Sequence, residues 1–342
     1  MDIDSSQKIK ELARKAVLRS GLLRRVADWR SRGAAILMYH SVVEDPRSQD
    51  VFLGGISHSR EVFRGQMELV ARRYHPVSLN HVQRFVQGKG DLPARAVVVT
   101  FDDGYADNYE MAAPILEEFG IPATFYVTVE CVERRSLPWP ARLRFVFRTT
   151  KKGSWAGASG KVWPLSNAVE REKALLLSCD ECCQLAGTKQ EKYVSQIEAD
   201  LDRQAPVESG APMMNRMMNY DQLRELATQG HMVGSHTMTH PNMAYVGLED
   251  VRHELTESKR LLEQQLGEPV VHFSYPCPAL SPHWTEQTVA ASREAGYETA
   301  VTTDGGLART GDDALRLKRL RPTKTVEGLG WNLECALAGR TV

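Results

Sequence analysis

The apolar run Val97–Phe101, Val-Val-Val-Thr-Phe, constrains this chain most, because it ends abruptly in Asp102-Asp103-Gly104. An uninterrupted β-branched run reads as a strand covered on both faces, as in a parallel sheet or barrel. Such folds place their chemistry at the C-terminal tips of the strands, where these two carboxylates fall. Asp-Asp-Gly is also ordinary turn composition, so the rest of the sequence has to decide whether the acids do more than turn the chain.

Further strands are expected at Ala34–Tyr39, Ala123–Val129, His231–Ser235, Val270–Tyr275, Glu298–Thr302 and Leu315–Leu320. Helical periodicity falls between them at Arg60–Arg73, Asn108–Phe119, Tyr220–Gln229, Glu249–Leu266 and Thr285–Ala295. Gly120, Gly267 and Gly296 supply stops and Thr285 a candidate N-cap. Strand–helix alternation predicts parallel strands joined by crossover helices. Six or seven strands are more than a small open sheet needs, so the expectation is an α/β fold closed into an irregular barrel. No glycine-rich phosphate loop follows the first strand, which argues against a nucleotide-binding sheet.

The rhythm breaks between Cys131 and about Asn215. A helix is expected over Ala141–Thr150, a hairpin within Lys151–Leu165, and polar helices over Asn167–Ala186 and Gln190–Gln204, with Pro206 and Pro212 marking the exit. The expected organisation is an N-terminal helical segment (1–33), a barrel (34–130 and 215–342) and an inserted subdomain or lid (131–214). Residues 1–33 carry nine Lys/Arg against four Asp/Glu, with apolar residues at helical spacing. They suggest helices packed on the domain, or else peripheral contact with an anionic membrane surface.

Charges balance at 43 basic and 43 acidic residues, so no global field argues for a nucleic-acid partner. Six scattered cysteines without zinc-ribbon spacing suggest reduced thiols. No membrane-spanning run or signal-peptide core is evident, and a cytoplasmic location is expected.

A second stretch, Gly234-Ser-His-Thr-Met-Thr-His-Pro241, follows an apolar strand directly and so lies at the same end of the barrel as the acids. His236 and His240 are spaced i, i+4, which would place both imidazoles on one face of a helical turn and let them chelate one divalent ion. Two histidines and one carboxylate leave room for water or substrate, a catalytic arrangement. The second carboxylate is then free to serve as a base.

Thr100-Phe-Asp-Asp-Gly104 and Ser235-His-Thr-Met-Thr-His-Pro241 resemble the first two motifs of the polysaccharide deacetylases, the family-4 carbohydrate esterases with the NodB-homology domain. Ile36-Leu-Met-Tyr-His-Ser-Val42 and Gly120-Ile-Pro-Ala-Thr-Phe125 support the likeness. The resemblance spans about Ala34–Glu130 and Asn215–Arg321. It implies a distorted (β/α)7 barrel and metal-dependent removal of acyl groups, usually N-acetyl groups of amino sugars. It implies Asp102 as catalytic base and Asp103, His236 and His240 as metal ligands. Zinc is the default metal, with cobalt or nickel also fitting.

Two departures qualify the resemblance. The family's third motif, Arg-x-Pro-Tyr/Phe, is here Ser274-Tyr-Pro-Cys277, so the arginine that steadies the base would have to come from Arg319 or Arg321. The family's Leu-x-His motif, source of a general acid, is absent after Tyr297. His40, at the end of the Ala34–Tyr39 strand, is the expected substitute, with His272 and His283 as rivals. The reading is a deacylase acting on a carbohydrate or a lipid- or nucleotide-linked sugar precursor. The alternatives are a deformylase, a non-sugar amide hydrolase, or a degenerate carbohydrate-binding barrel.

Overall fold

A computed structural model describes residues 33–157, 160–205 and 216–340, together with Gly21 and Arg25. The helices and membrane contact expected of residues 1–33, and the exit prolines Pro206 and Pro212, otherwise lie outside the described residues.

Seven parallel strands form the barrel: β1 (Ala35–Tyr39), β2 (Ala96–Phe101), β3 (Ala123–Val127), β4 (Met232–Ser235), β5 (His272–Ser274), β6 (Thr299–Gly305) and β7 (Leu317–Arg319). Each pairs with its successor. The ring closes between β7 and β1 through Met38 N–H on Leu320 O (3.0 Å) and Leu320 N–H on Ile36 O (2.7 Å). A two-residue strand, His75–Pro76, adds to the start of β2. The last strand is shorter than the expected Leu315–Leu320, because Ala314–Arg316 forms a 3₁₀ turn before β7.

Strand residues alternate between two clusters, as a period of two demands. Leu37, Tyr39, Val99, Phe101, Phe125 and Val127 pack outward against the helices. Ile36, Val98, Tyr126, Val301 and Leu317 gather with Leu79, Val82 and Val86 of the helix Leu79–Val86. The helix Arg60–Arg73 is capped by Ser59 and buries Phe63, Met67 and Val70, the face its periodicity predicts. The expected Asn108–Phe119 helix begins with a wider π turn (Asn108–Ala112) before an α-helix over Ala113–Glu118.

Between β3 and β4 the chain forms helices Val129–Arg134 and Trp139–Thr149, the hairpin Ser154–Ala156/Val162–Pro164, and helices Ala168–Cys182 and Gly187–Asp200. Trp139, Val146, Phe147, Trp155, Leu175 and Ile197 belong to a core separate from that of the barrel. This segment also grips the β4 loop: Trp139 Nε1 donates to His240 O (2.9 Å) and Gly187 N–H to Thr239 Oγ1 (3.1 Å).

Candidate active site

The C-terminal ends of β1, β2, β4 and β7 deliver His40, Asp102 and Asp103, His236 and His240, and Arg319. All but Arg319 line one cleft of about 340 Å³, and Arg319 is buried behind Asp102. Pro138, Pro140, Ala141 and Arg144 of the inserted segment line the same cleft.

Asp103, His236 and His240 offer ligand atoms that all lie within 4.8 Å of one another. Asp103 Oδ1 is 3.2 Å from His240 Nε2 and 3.5 Å from His236 Nε2. His236 Nδ1 lies 2.7 Å from Ser274 O; as its donor, it leaves Nε2 unprotonated toward Asp103. The Asp103 Oδ1 atom is buried without an aligned hydrogen bond. A buried orphan oxygen facing two imidazole nitrogens is what a divalent cation would satisfy, so the residues fit the metal that the sequence motifs imply.

The expected helical turn at His236–His240 is not formed. The two rings converge through an irregular loop in which Thr237 and His240 hold left-handed φ values of 69° and 63°. Non-glycine residues adopt that conformation only when their surroundings enforce it. Glu254 does so, its carboxylate accepting Met238 N–H (2.8 Å), Thr239 N–H (2.9 Å) and Thr239 Oγ1–H (2.5 Å). Asp103 is likewise left-handed at φ 76°. The glycine after it is required, because a Cβ on Gly104 would come 2.9 Å from the Val127 side chain.

Arg319 resolves the choice between the two candidate arginines. It is 1% exposed, not a surface charge on an edge. Its Nη1 and Nη2 each donate to one Asp102 oxygen at 2.8 Å. Its remaining bonds go to Ser274 Oγ (3.1 Å), Thr302 O (2.8 Å) and Thr100 Oγ1 (3.3 Å). Burial alone would raise the Asp102 carboxyl, but the Arg319 guanidinium overrides it and holds the group below the usual carboxylate range. Arg321 instead lies exposed at the cleft.

Among the candidate acids, His40 lines the cleft, and burial lowers it against the opposing pull of Asp103 and Asp102. Its carbonyl accepts Asn108 Nδ2 (2.6 Å), and Asp107 accepts Asn108 Nδ2 (2.9 Å), Ser41 Oγ–H (2.6 Å) and Val42 N–H (3.0 Å). This clamp was not legible from the sequence, because Asp and Asn at the start of a helix read as ordinary N-cap residues. His272 is buried beside Thr299 Oγ1 (2.7 Å), away from the cleft lining. His283 Nε2 lies 2.9 Å from the Cys277 thiol. His58, not singled out in the sequence, lines the cleft with Nε2 3.2 Å from Thr323 O.

The barrel, the acidic pair and the histidine pair define a class, and comparison with known proteins bears it out. The polysaccharide deacetylase family model matches residues 89–157 and 189–300, leaving out part of the inserted segment. The chain belongs to the polysaccharide deacetylase family, whose members are hydrolases. It is 20% identical over 294 residues to the Bacillus subtilis (strain 168) protein YxkH, covering 86% of this chain and 72% of that protein. It is 34% identical over 97 residues to the poly-β-1,6-N-acetyl-D-glucosamine N-deacetylase of Escherichia coli (strain K12), covering 28% of this chain and 14% of that protein. In fold it is similar to the Streptococcus pyogenes deacetylase PplD, with a TM-score of 0.59 at 18% identity, covering 89% of this chain and 99% of that one. No helix among the described residues is long and apolar enough to cross a membrane.

Proposed function

We propose that this chain removes an N-acyl group, N-acetyl by default, from an amino sugar, using a divalent cation held by Asp103, His236 and His240. The observation that carries the reading is the second carboxylate: Asp102 lies beside this trio, gripped by Arg319 through two bonds of 2.8 Å. A bound cation would supply Lewis acidity, polarising the amide carbonyl and lowering the pKa of water. Asp102 then accepts the proton of the attacking water, with Arg319 fixing the carboxylate's orientation. His40 donates a proton to the departing amine. The inserted helix Trp139–Thr149, whose first turn lines the cleft, limits the entry of bulk water.

Zinc is the proposed metal, since it accepts a mixed imidazole–carboxylate set; cobalt or nickel would suit the same donors. A cytoplasmic setting is part of the reading, supported by six cysteines of which none is in a disulfide. The test is metal analysis of the purified protein together with amine release from acetylated and formylated amino sugars. One metal per chain and release of the amine are expected, both lost in His236→Ala and His240→Ala. Full metal occupancy in the double variant would remove the assignment, and binding of glycan without turnover would mark a degenerate barrel.

A further inference from the structure

The charges lining the cleft are sorted by sign. Its acids are Asp102 and Asp103 alone, the first neutralised by Arg319 and the second placed among the metal-site histidines. Every other formally charged side chain in the lining is a cation: Arg144, Arg321 and Lys324. The chain as a whole has 43 basic and 43 acidic residues, so this local excess is not inherited from a basic protein.

Two of these cations stand on a braced segment. Residues 321–325, which follow β7, are tied to the region before and within the helix Arg60–Arg73. Lys324 Nζ donates to Ser57 O (2.6 Å), His58 Nε2 meets Thr323 O (3.2 Å), and Gln66 Nε2 donates to Thr323 O (2.7 Å) and Thr325 O (3.2 Å). Bracing of this kind reduces the ordering cost of binding. Arg321 is exposed at the cleft and forms no ion pair among the described residues. Arg144 reaches Glu172 only at 3.7 Å. Phe52, Leu53, Ile56, Pro138 and Pro140 give the same cleft an apolar side.

We infer that Arg321 and Lys324, with Arg144 lining the same cleft, form an anion subsite that takes the phosphoryl group of a phosphate-linked amino sugar. The inference rests on the deacetylase reading and narrows its substrate. An N-acetylated neutral glycan offers these cations only uncharged hydroxyl and carbonyl acceptors, the weaker kind of partner. A polymer already partly deacetylated carries ammonium groups that they repel. A phosphodiester or diphosphate beside the amino sugar supplies the oxygens that guanidinium and ammonium groups bind with charge-assisted hydrogen bonds. A prenyl or nucleoside group beyond the phosphate could lie on the apolar side, so both carriers share the recognised chemistry.

The experiment compares amine release by the metal-loaded protein from three substrates: a neutral N-acetylglucosamine oligomer, a nucleoside-diphosphate-linked N-acetylglucosamine, and a short-chain prenyl-diphosphate-linked one. Wild type is expected to favour a diphosphate-linked sugar over the neutral oligomer by roughly tenfold or more in kcat/KM, the scale of a charged hydrogen bond. Arg321→Gln/Lys324→Gln should reduce that ratio by a similar factor. Added salt should erode the wild-type preference more than the variant's. The nucleotide and prenyl arms identify the carrier, and preference for either supports the subsite. Absence of preference in wild type, or an unchanged ratio in the variant, overturns it. Arg321→Gln alone alters an exposed side chain and carries the test if the double variant does not fold. If no substrate is turned over, the deacetylase reading fails and the subsite is decided by calorimetric binding of inorganic pyrophosphate. Binding weakened roughly tenfold in the variant supports the subsite, on the same charged-bond scale, and equal binding overturns it.

Discussion

Replacing Arg319 by Met should destabilise the protein severely, and replacing Asp102 as well should restore part of the loss. Arg319 is 1% exposed and Asp102 2%. The guanidinium makes five hydrogen bonds, two of them to the two carboxylate oxygens. Arg319→Met leaves Asp102 charged and buried without its counter-ion, a situation that costs about 3–5 kcal/mol. Domains of ordinary stability hold about 5–15 kcal/mol in total, so this single change removes a large share. Asp102→Asn in the same chain removes the orphan charge and leaves only lost neutral hydrogen bonds, at about 1 kcal/mol each.

The double variant should therefore be more stable than Arg319→Met alone, by about 2 kcal/mol or more, the coupling expected of groups in direct contact. Urea unfolding of wild type, both single variants and the double variant closes the cycle; a chelator keeps metal binding from adding its own stabilisation. Arg319→Lys separates stability from catalysis. It keeps a positive charge but cannot bind both oxygens as a planar fork. It should unfold less readily than the Met variant yet lose about 10²-fold in kcat, the scale of a misplaced reacting group. A double variant no more stable than Arg319→Met, or an Arg319→Lys enzyme with wild-type kcat, would refute the argument.

The adjacent acids should part company on substitution. Asp102→Asn is expected to retain metal while losing roughly 10²-fold or more in turnover, whereas Asp103→Asn should lose metal first; equal effects of both on metal affinity alone would reject the division. His40→Gln should keep its metal but lose rate and alter the alkaline limb of the pH–rate profile, and an unchanged limb at near-normal rate excludes it as the acid. His272 is held down to about 4 by burial, so its contribution is present in full above the unfolded value near 6.5 and is lost as pH falls toward about 4. The slope is about 1.4 kcal/mol per pH unit for one proton bound only in the unfolded state. Unfolding midpoints of His272→Asn between those pH values should fall less steeply than wild type, and parallel curves would count against it.

Local pattern carried the strands well, because an uninterrupted β-branched run reads as a covered strand. The acidic tip, being also ordinary turn composition, took its meaning only from the histidine pair at the same end of the barrel. The histidine pair was legible for a reason that does not apply: i, i+4 spacing suggested a helical turn. The rings meet because Glu254, on the helix Leu248–Leu266, grips the loop amides. A bond from a later helix leaves no local periodicity. The role of the inserted segment was hidden for the same reason, since the Trp139 indole reaches His240 O across a separation of 101 residues. Arg319 follows from strand parity: Leu317 and Arg319 are buried while Lys318 between them is exposed. That alternation becomes decisive only once the bounds of β7 are known.

The altered third motif has a geometric answer in the same barrel. By its resemblance to Arg-x-Pro-Tyr/Phe, Ser274 stands where the family keeps its arginine. Here β5 ends at that serine, and β7 sends Arg319 to the site, where Nη2 donates to Ser274 Oγ at 3.1 Å while gripping Asp102. A second arginine side chain from position 274 would compete for this buried space, whereas serine leaves room and contributes an acceptor. The exchange is tolerable because parallel barrel strands deliver their C-terminal residues to one face, so a side chain lost from one strand can be supplied by another. The same reasoning admits His40: β1 lies beside both β2 and β7, and its end opens on the cleft that Asp102 and Asp103 line. What the proposed chemistry requires is a guanidinium against the base and an imidazole at the cleft, and neither requirement specifies which strand provides it.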